Sequence, residues 1–362
     1  MNVLILGGNG YIGWPLAMRL SNEGHNVSIL DDHSKLRLMR KVEKSLLKDP
    51  KDLGERSRIW RDVTEKEMYV YPSSNVKLAV QRDTDCIIHL AEQPSAPLSM
   101  LSTALGTYTI TNNIGITTSL MFAVRDICPH AHIIKLGTMG EYGTPNIDIE
   151  EGWLDIEHKG RRDRFLFPRA AGSIYHTTKV MDTDLLWFGV RAYGLRVTDL
   201  MQGPVYGMHT AETYMDPQLY TDFAYDEIFG TVLNRFLYQA ATGQPLTVYG
   251  SGEQTRGFLS LEDCLQCIQL CMENPPAAGE MRINNQFTET FSVLELAHRV
   301  RDAAKQLGDK VTIEHVQNER LEKENHYYNP ACQNLLAYGL KPHYLTNGVL
   351  YTMLLAIKAC YP

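Results

Sequence analysis

Short apolar runs alternate along this chain with stretches in which apolar residues recur every three to four positions. The first period predicts strands and the second predicts helices. Strands are expected at Asn2–Leu6, Val27–Leu30, Met68–Tyr71, Cys86–Leu90, Ile133–Leu136 and Arg196–Leu200. Helices fit between them at Tyr11–Glu23, Val76–Gln81, Thr111–Arg125 and Ser173–Tyr193. Such alternation predicts parallel βαβ units, and right-handed crossovers would stack them into one sheet. The expected fold class is therefore α/β, a Rossmann-type doubly wound parallel sheet.

Two regions depart from this rhythm. Lys35–Lys66 carries both charge signs and is longer than a βα connection needs, so a helical surface insertion without a chemical role is expected. After Met201 the texture changes, and Gly203–Phe229 is rich in Gly, Pro, Tyr and Asp, which suits ordered loops over a site. Residues 1–200 are thus expected to form one domain. Residues 201–362 would mainly form a smaller substrate-binding lobe, with part of 256–290 returning to the first domain.

Composition narrows the class. The chain has 362 residues, 44% hydrophobic and 21% charged, with a net charge of −7. That balance gives no footprint for nucleic acid. No apolar stretch reaches the roughly 20 residues of a membrane span. No signal or transit segment is readable, so a cytoplasmic location is expected. Seven scattered cysteines fit a reducing compartment. Cys264, Cys267 and Cys271 recur at helical spacing on one apolar face, so core packing is expected of them and no metal site.

The candidate chemistry begins at the first turn. Gly7-Gly8-Asn9-Gly10-Tyr11-Ile12-Gly13 follows a strand and opens a helix. Gly7, Gly10 and Gly13 would permit a tight turn, close approach of a pyrophosphate and close helix–strand packing. Tyr11 and Ile12 belong to the helix start, whose free N–H groups suit phosphates. Asp31 and Asp32 end the second strand, where a carboxylate accepts ribose hydroxyls and repels a 2′-phosphate. NAD is therefore expected rather than NADP, with Lys35 beside the same end of the cofactor.

Tyr175 and Lys179, four residues apart, share one helix face. A phenol is a poor base near neutral pH, and an adjacent ammonium favours its ionised form. Such a phenolate can take the proton of a carbinol as hydride leaves. Thr138, at the C-terminal end of a strand, is expected to hydrogen-bond the same oxygen. Glu141 and His176 complete the candidate catalytic set.

These parts resemble the extended short-chain dehydrogenase/reductase family, the nucleotide-sugar epimerases and dehydratases. Cys86-Ile87-Ile88-His89-Leu90-Ala91 is similar to its fourth strand, which implies cofactor contacts from Leu90 and Ala91. Asn113 matches a mid-chain helix asparagine, and the segment from Pro245 to Phe258 a substrate-diphosphate segment. Within the family, 135–152, 206–207, 229–236, 254–257, 285–289 and 326–329 resemble members that form UDP-sulfoquinovose. The resemblance spans nearly the whole chain.

It implies that UDP-glucose and sulfite, the latter free or brought by a sulfur-donor protein, are the substrates. Oxidation at C4 would acidify the C5 proton; a base would remove it as water leaves C6. Sulfite would add to the enone, and hydride would return to C4. Substrate contacts are implied for Gln93, Ser95, Thr138, Met139, Gln202, Asn234, Thr255, Arg256 and Arg320. A homodimer is implied through helices near Thr111–Arg125 and Ser173–Tyr193. A 4-epimerase or dehydratase acting on a related nucleotide sugar would use the same core parts.

The chain departs from the family pattern at four places. Met139 and Gly140 stand where dehydratases carry two carboxylates, leaving Glu141 alone. Pro94 replaces an Arg expected near the sulfur donor, Tyr71-Pro72 replaces a Gly-Asp, and Met201 replaces a polar residue before Gln202.

Overall fold

The computed structural model describes residues 1–42, 46–317 and 326–360. Seven parallel strands form the main sheet. In chain order they are β1 (Asn2–Leu6), β2 (Asn26–Leu30), β3 (Tyr69–Tyr71), β4 (Cys86–His89), β5 (His132–Thr138), β6 (Arg196–Gln202) and β7 (Met281–Gln286). They lie in the spatial order β7-β6-β5-β4-β1-β2-β3. The order reverses direction at β1, so the carboxyl ends of β1 and β4 flank a crevice where α/β sheets bind ligands. The expected Rossmann-type sheet is present, with one strand more than the apolar runs predict.

Alternation along each strand sends side chains to two separate cores. Val3, Ile5, Cys86, Ile88 and Ile134 pack on one face with Trp14, Trp60, Cys264, Cys267 and Cys271. Leu4, Leu6, Ile87 and Ile133 pack on the other with Leu120, Val124, Tyr142, Phe167 and Leu186. The three helical cysteines are thus core residues. Burial on both faces explains why these strands read as unbroken apolar runs. A third cluster, including Phe236, Leu237, Val248, Phe258 and Leu296, forms among the later elements.

β7 escapes the apolar criterion because Asn284, Asn285 and Gln286 are polar yet buried. Asn285 accepts from Tyr142 Oη at 2.9 Å and donates to the Ala331 carbonyl at 2.7 Å, while Gln286 donates to the Cys264 carbonyl at 3.3 Å. Hydrogen-bonded partners make such burial tolerable. The mid-chain helix runs over Thr103–Ile127, beginning well before the expected Thr111. Ser102 caps it by accepting from Leu105 N, which starts the helix despite the β-branched residues that follow.

The charged insertion corrects an expectation. It contains helices Ser34–Val42 and Leu53–Thr64, the second capped by Asp52. Leu53, Arg56, Ile59 and Trp60 form a buried face of the second helix. Arg56 reaches inward to donate to the Asn9 carbonyl and to Asn9 Oδ1, each at 3.0 Å. The insertion is therefore part of the wall around the glycine turn rather than a surface ornament.

Candidate active site

The turn after β1 is shaped by contacts that admit no side chain. Gly7 has φ of +80°, and a Cβ there would fall 2.7 Å from the Leu90 carbonyl carbon. A Cβ on Gly13 would fall 2.7 Å from Gly8 Cα. Gly10 differs: the nearest atom to a Cβ there is Gly7 O, at 3.5 Å. Nothing in the chain itself requires glycine at this position, and the opening beside it suits an incoming pyrophosphate. Helix Gly13–Asn22 has Ile12 at its N-cap with no side-chain cap; Trp14 N donates to the Gly10 carbonyl at 3.1 Å and Pro15 carries no N–H, so the N–H groups of Ile12 and Gly13 are the ones placed to meet an anion.

Asp31 sits at the end of β2 as expected and accepts from Asn9 N at 2.9 Å and His33 N at 2.8 Å. Burial raises its pKa, against those hydrogen bonds. Asp32 accepts from Ser34 N at 2.8 Å. Lys35 lies near Asp31, Asp222 and Asp226, and burial lowers its pKa. Leu90 and Ala91 face Gly7 across the turn. Tyr11 donates to the Gly207 carbonyl at 2.7 Å, joining the glycine turn to the loops after β6.

Thr138 ends β5 opposite Gln202 of β6. Its hydroxyl accepts from Gly140 N at 3.1 Å and caps the short helix Met139–Glu141. Ser173 caps the helix Ile174–Tyr193 by accepting from His176 N, which sets Tyr175 and His176 in the first turn. The Tyr175 and His176 rings are 5.1 Å apart between centroids, and Lys179 Nζ is 6.0 Å from the Tyr175 centroid. Burial, then the nearby Glu92 charge, raises the Tyr175 phenol. Lys179 is buried and donates to the Leu136 carbonyl at 2.5 Å. Asn113 supports this corner by accepting from Gln93 N at 2.9 Å and donating to Thr178 Oγ1 at 3.0 Å.

Glu141 is placed otherwise than expected. Its carboxylate is fully buried beneath the sheet edge. It accepts from Lys135 Nζ at 3.2 Å, Thr183 Oγ1 at 3.1 Å and Thr138 N at 3.3 Å, and lies 3.5 Å from Arg169 Nε. Lys135 also donates to Thr183 Oγ1 at 2.7 Å and to Asp199 Oδ2 at 3.2 Å. This network joins β5, β6 and the helix of Tyr175. Glu141 is therefore tied into the structure beneath Thr138 by buried ionic and hydrogen-bonding partners.

The Glu141 network contains residues that belong to no recognisable motif. Lys135 carries a legible signal, since a lysine inside the apolar run Ile133–Leu136 needs buried counter-charges. Asp199 in β6 and Arg169 supply two of its members. Glu92 is a further residue absent from the candidate set: its Oε1 lies 2.8 Å from Lys179 Nζ.

The expected substrate residues divide into two groups. Gln93 and Ser95 are buried, and their polar atoms hold the chain: Gln93 donates to Thr109 Oγ1 at 2.8 Å, and Ser95 caps a helix and donates to the Ile228 carbonyl. Met139 is buried in the second core. Gln202 donates to Gln286 Oε1 at 3.0 Å and Cys264 Sγ at 3.1 Å. These four side chains are engaged within the chain itself. Asn234 is buried with its Oδ1 unmatched by any protein donor. Thr255 and Arg256 are half-buried, and Arg256 lies 3.1 Å from His326 Nε2. Arg320 lies outside the described residues. Pro94 is exposed between buried Gln93 and Ser95.

The chain is 42% identical to "UDP-sulfoquinovose synthase, chloroplastic" of Spinacia oleracea over 97% of its own length and 74% of the relative. It is 45% identical to "UDP-sulfoquinovose synthase" of Sulfolobus acidocaldarius over 94% of its length and 88% of that protein. Its fold matches a UDP-glucuronic acid 4-epimerase from Bacillus cereus, solved with UDP-glucuronic acid and NAD, with a TM-score of 0.72, 20% identity and full coverage of both chains. The model of the NAD dependent epimerase/dehydratase family matches residues 3–285, from β1 through all but the last residue of β7. With its glycine turn, its doubly wound sheet and relatives of such identity, this chain belongs to the NAD dependent epimerase/dehydratase family.

Proposed function

We propose that this chain forms UDP-sulfoquinovose from UDP-glucose and sulfite, with NAD as its cofactor. The observation that carries the reading is identity of 42% and 45% to two synthases of that name over nearly the whole chain. Retention of Thr138, Tyr175 and Lys179, with Met139 and Gly140 in the dehydratase carboxylate positions, supports it. Residues 1–200 would carry most of the cofactor site and 201–362 most of the sugar-nucleotide site.

The bound cofactor supplies the acceptor, and later the donor, of hydride at C4. Tyr175 takes the C4 hydroxyl proton, and Thr138 holds that oxygen. Lys179 lowers the cost of the phenolate. Oxidation at C4 acidifies the C5 proton, because the resulting carbanion is delocalised onto the carbonyl.

His176 is the group assigned to that proton. Its ring lies over Gly140, where a dehydratase carboxylate would stand, and Glu141 is held below. The C5 proton and the C6 hydroxyl leave together as water; the C6–O bond breaks. Sulfite then adds through sulfur to C6 and a proton returns to C5. Tyr175 gives its proton back to O4. The net change is exchange of the C6 hydroxyl for sulfonate, with no net oxidation.

Arg256 and Arg320 are assigned to the UDP diphosphate, since guanidinium groups suit that geometry. Asn234 is assigned to the nucleotide sugar through its unmatched Oδ1. A homodimer through the helices Thr103–Ile127 and Ile174–Tyr193 belongs to the same reading. These helices pack together and leave Ile110, Met181 and Phe188 exposed. Among the described residues no helix is long and apolar enough to cross a membrane. A cytoplasmic location is part of the proposal.

Incubation with UDP-glucose, with and without sulfite, tests it by mass spectrometry of the nucleotide products. A sulfonated UDP-hexose formed only with sulfite is expected. UDP-galactose formed with indifference to sulfite would overturn it in favour of a 4-epimerase.

A further inference from the structure

We propose that Glu92 is a positioning residue for Tyr175 and Lys179: its buried carboxylate anchors the Lys179 ammonium and offsets its charge, so that Tyr175 stays basic enough to take the C4 hydroxyl proton and hold it until its return. This rests on the reading of Tyr175 and Lys179 as the proton-transfer pair. Glu92 follows β4 in the stretch that runs over the glycine turn, and its N–H donates to the Leu90 carbonyl at 3.0 Å. Its side chain is sealed from solvent, with Oε1 2.8 Å from Lys179 Nζ and 3.5 Å from His89 Nε2. A second acceptor, the Leu136 carbonyl at 2.5 Å, fixes the same ammonium from β5. Lys179 is therefore held from two neighbouring strands.

The surrounding charges single Glu92 out as the counter-ion. From β4, His89 is neutral, its pKa held near 4 by burial. From β5, Lys135 is engaged by Asp199 of β6 and by Glu141, which Arg169 also approaches. From the helix of Tyr175 itself, Asp182 also acts on Lys179, but burial pushes it well above the usual carboxylate range and Glu92 is the stronger partner. His176 completes the ring of titratable groups beside Tyr175. Burial alone would raise Glu92, but adjacent Lys179 holds it below the usual range, so it stays ionised.

An unopposed ammonium would stabilise phenolate at Tyr175. Too strongly stabilised, that phenolate becomes a weak base toward the C4 hydroxyl and binds the proton it takes less firmly. The Glu92 carboxylate counters that bias and lets Tyr175 work in both directions.

The test compares Glu92→Gln with Glu92→Asp, which keeps the charge. For Glu92→Gln, the acidic limb of the kcat/KM profile should move down by about one pH unit. Ultraviolet difference titration of the protein should show one phenolate forming at lower pH, and that change should vanish when Tyr175→Phe is added. Glu92→Asp, which keeps the charge at a longer distance, should restore the parent limb only in part. Unmoved limb and phenolate titration in a folded Glu92→Gln protein would overturn the proposal. If Glu92→Gln does not fold, Glu92→Asp, whose shorter reach weakens the contact, should shift the limb in the same direction; an unmoved limb there overturns it. Full turnover by Tyr175→Phe alone would instead sink the underlying reading of the pair.

Discussion

The imidazole of His176 lies where a side chain on Gly140 would stand: a Cβ built there falls 2.6 Å from His176 Cδ2 and 2.9 Å from Cε1. The ring and the missing side chain are two halves of one arrangement. Gly140→Ala should displace the ring and reduce kcat by about 10²-fold, within the usual range for a lost acid–base group. His176→Ala should cost about as much, and the double variant little more. Steady-state kinetics of the three proteins check this, and strict multiplication of the two losses would show that the residues act separately.

Tyr175→Phe removes the proton acceptor while leaving the ring in place. Turnover should fall by at least about 10²-fold. Cofactor affinity, read by calorimetric titration, should change little. Retention of normal turnover would move the proton transfer to another group.

Arg56→Met should be costly although the residue lies in the charged insertion. Arg56 is 1% exposed and its Nη2 donates to Asp222 Oδ1 at 2.5 Å. Removing it leaves a buried carboxylate and the Asn9 carbonyl without their cation. A loss of about 3–5 kcal/mol in denaturant unfolding is expected. Faster release of bound cofactor should accompany it, because Asn9 belongs to the glycine turn.

Glu141→Gln distinguishes holding from proton transfer. Buried Lys135 and Arg169 would lose a counter-charge, so the unfolding midpoint should drop clearly. The pH limbs of kcat should keep their positions. A limb that disappears would return Glu141 to the chemistry.

Two buried histidines make the fold acid-sensitive. Burial holds His89 near pKa 4 and His132 near 3. Both values lie below the unfolded value, so the unfolded chain takes up protons first as pH falls. Their stabilising contribution is complete above about pH 6.5 and declines from there towards pH 4 and below. The combined slope should approach about 2.7 kcal/mol per pH unit. Urea unfolding at several pH values checks it, and His132→Gln, which can still bond Thr198, should roughly halve the slope.

The sequence exposes those parts of the fold in which local pattern and final environment agree. β1 carries one apolar residue after another and the glycine turn follows it directly, so both are readable. β7 is not, because Asn284 has its partner in Cys271, Asn285 in Tyr142 and Ala331, and Gln286 in Cys264, all outside the strand. The site shows the same division. Tyr175 and Lys179 are linked by helical spacing, whereas Glu92 meets Lys179 only after β4 and the later helix are brought together. Gln93 and Ser95 stand beside a motif, but their partners Thr109 and the Ile228 carbonyl become visible only in the folded chain. Glu141 is ambiguous in sequence for a related reason: its position three residues beyond Thr138 serves a capping box as readily as a substrate.

The placement of β7 also constrains how this protein is made. Its partner β6 ends at Gln202, but residues 281–286 pair with it in parallel from Val197 to Gln202. On the ribosome, β6 therefore emerges as an open edge, with hydrogen-bonding groups available to any passing strand. It stays so until residue 286 has cleared the exit tunnel. The interval spent translating residues 203–280 is when the nascent chain most needs a chaperone. A gene fragment stopping at residue 200 should yield aggregates rather than a free-standing nucleotide-binding domain.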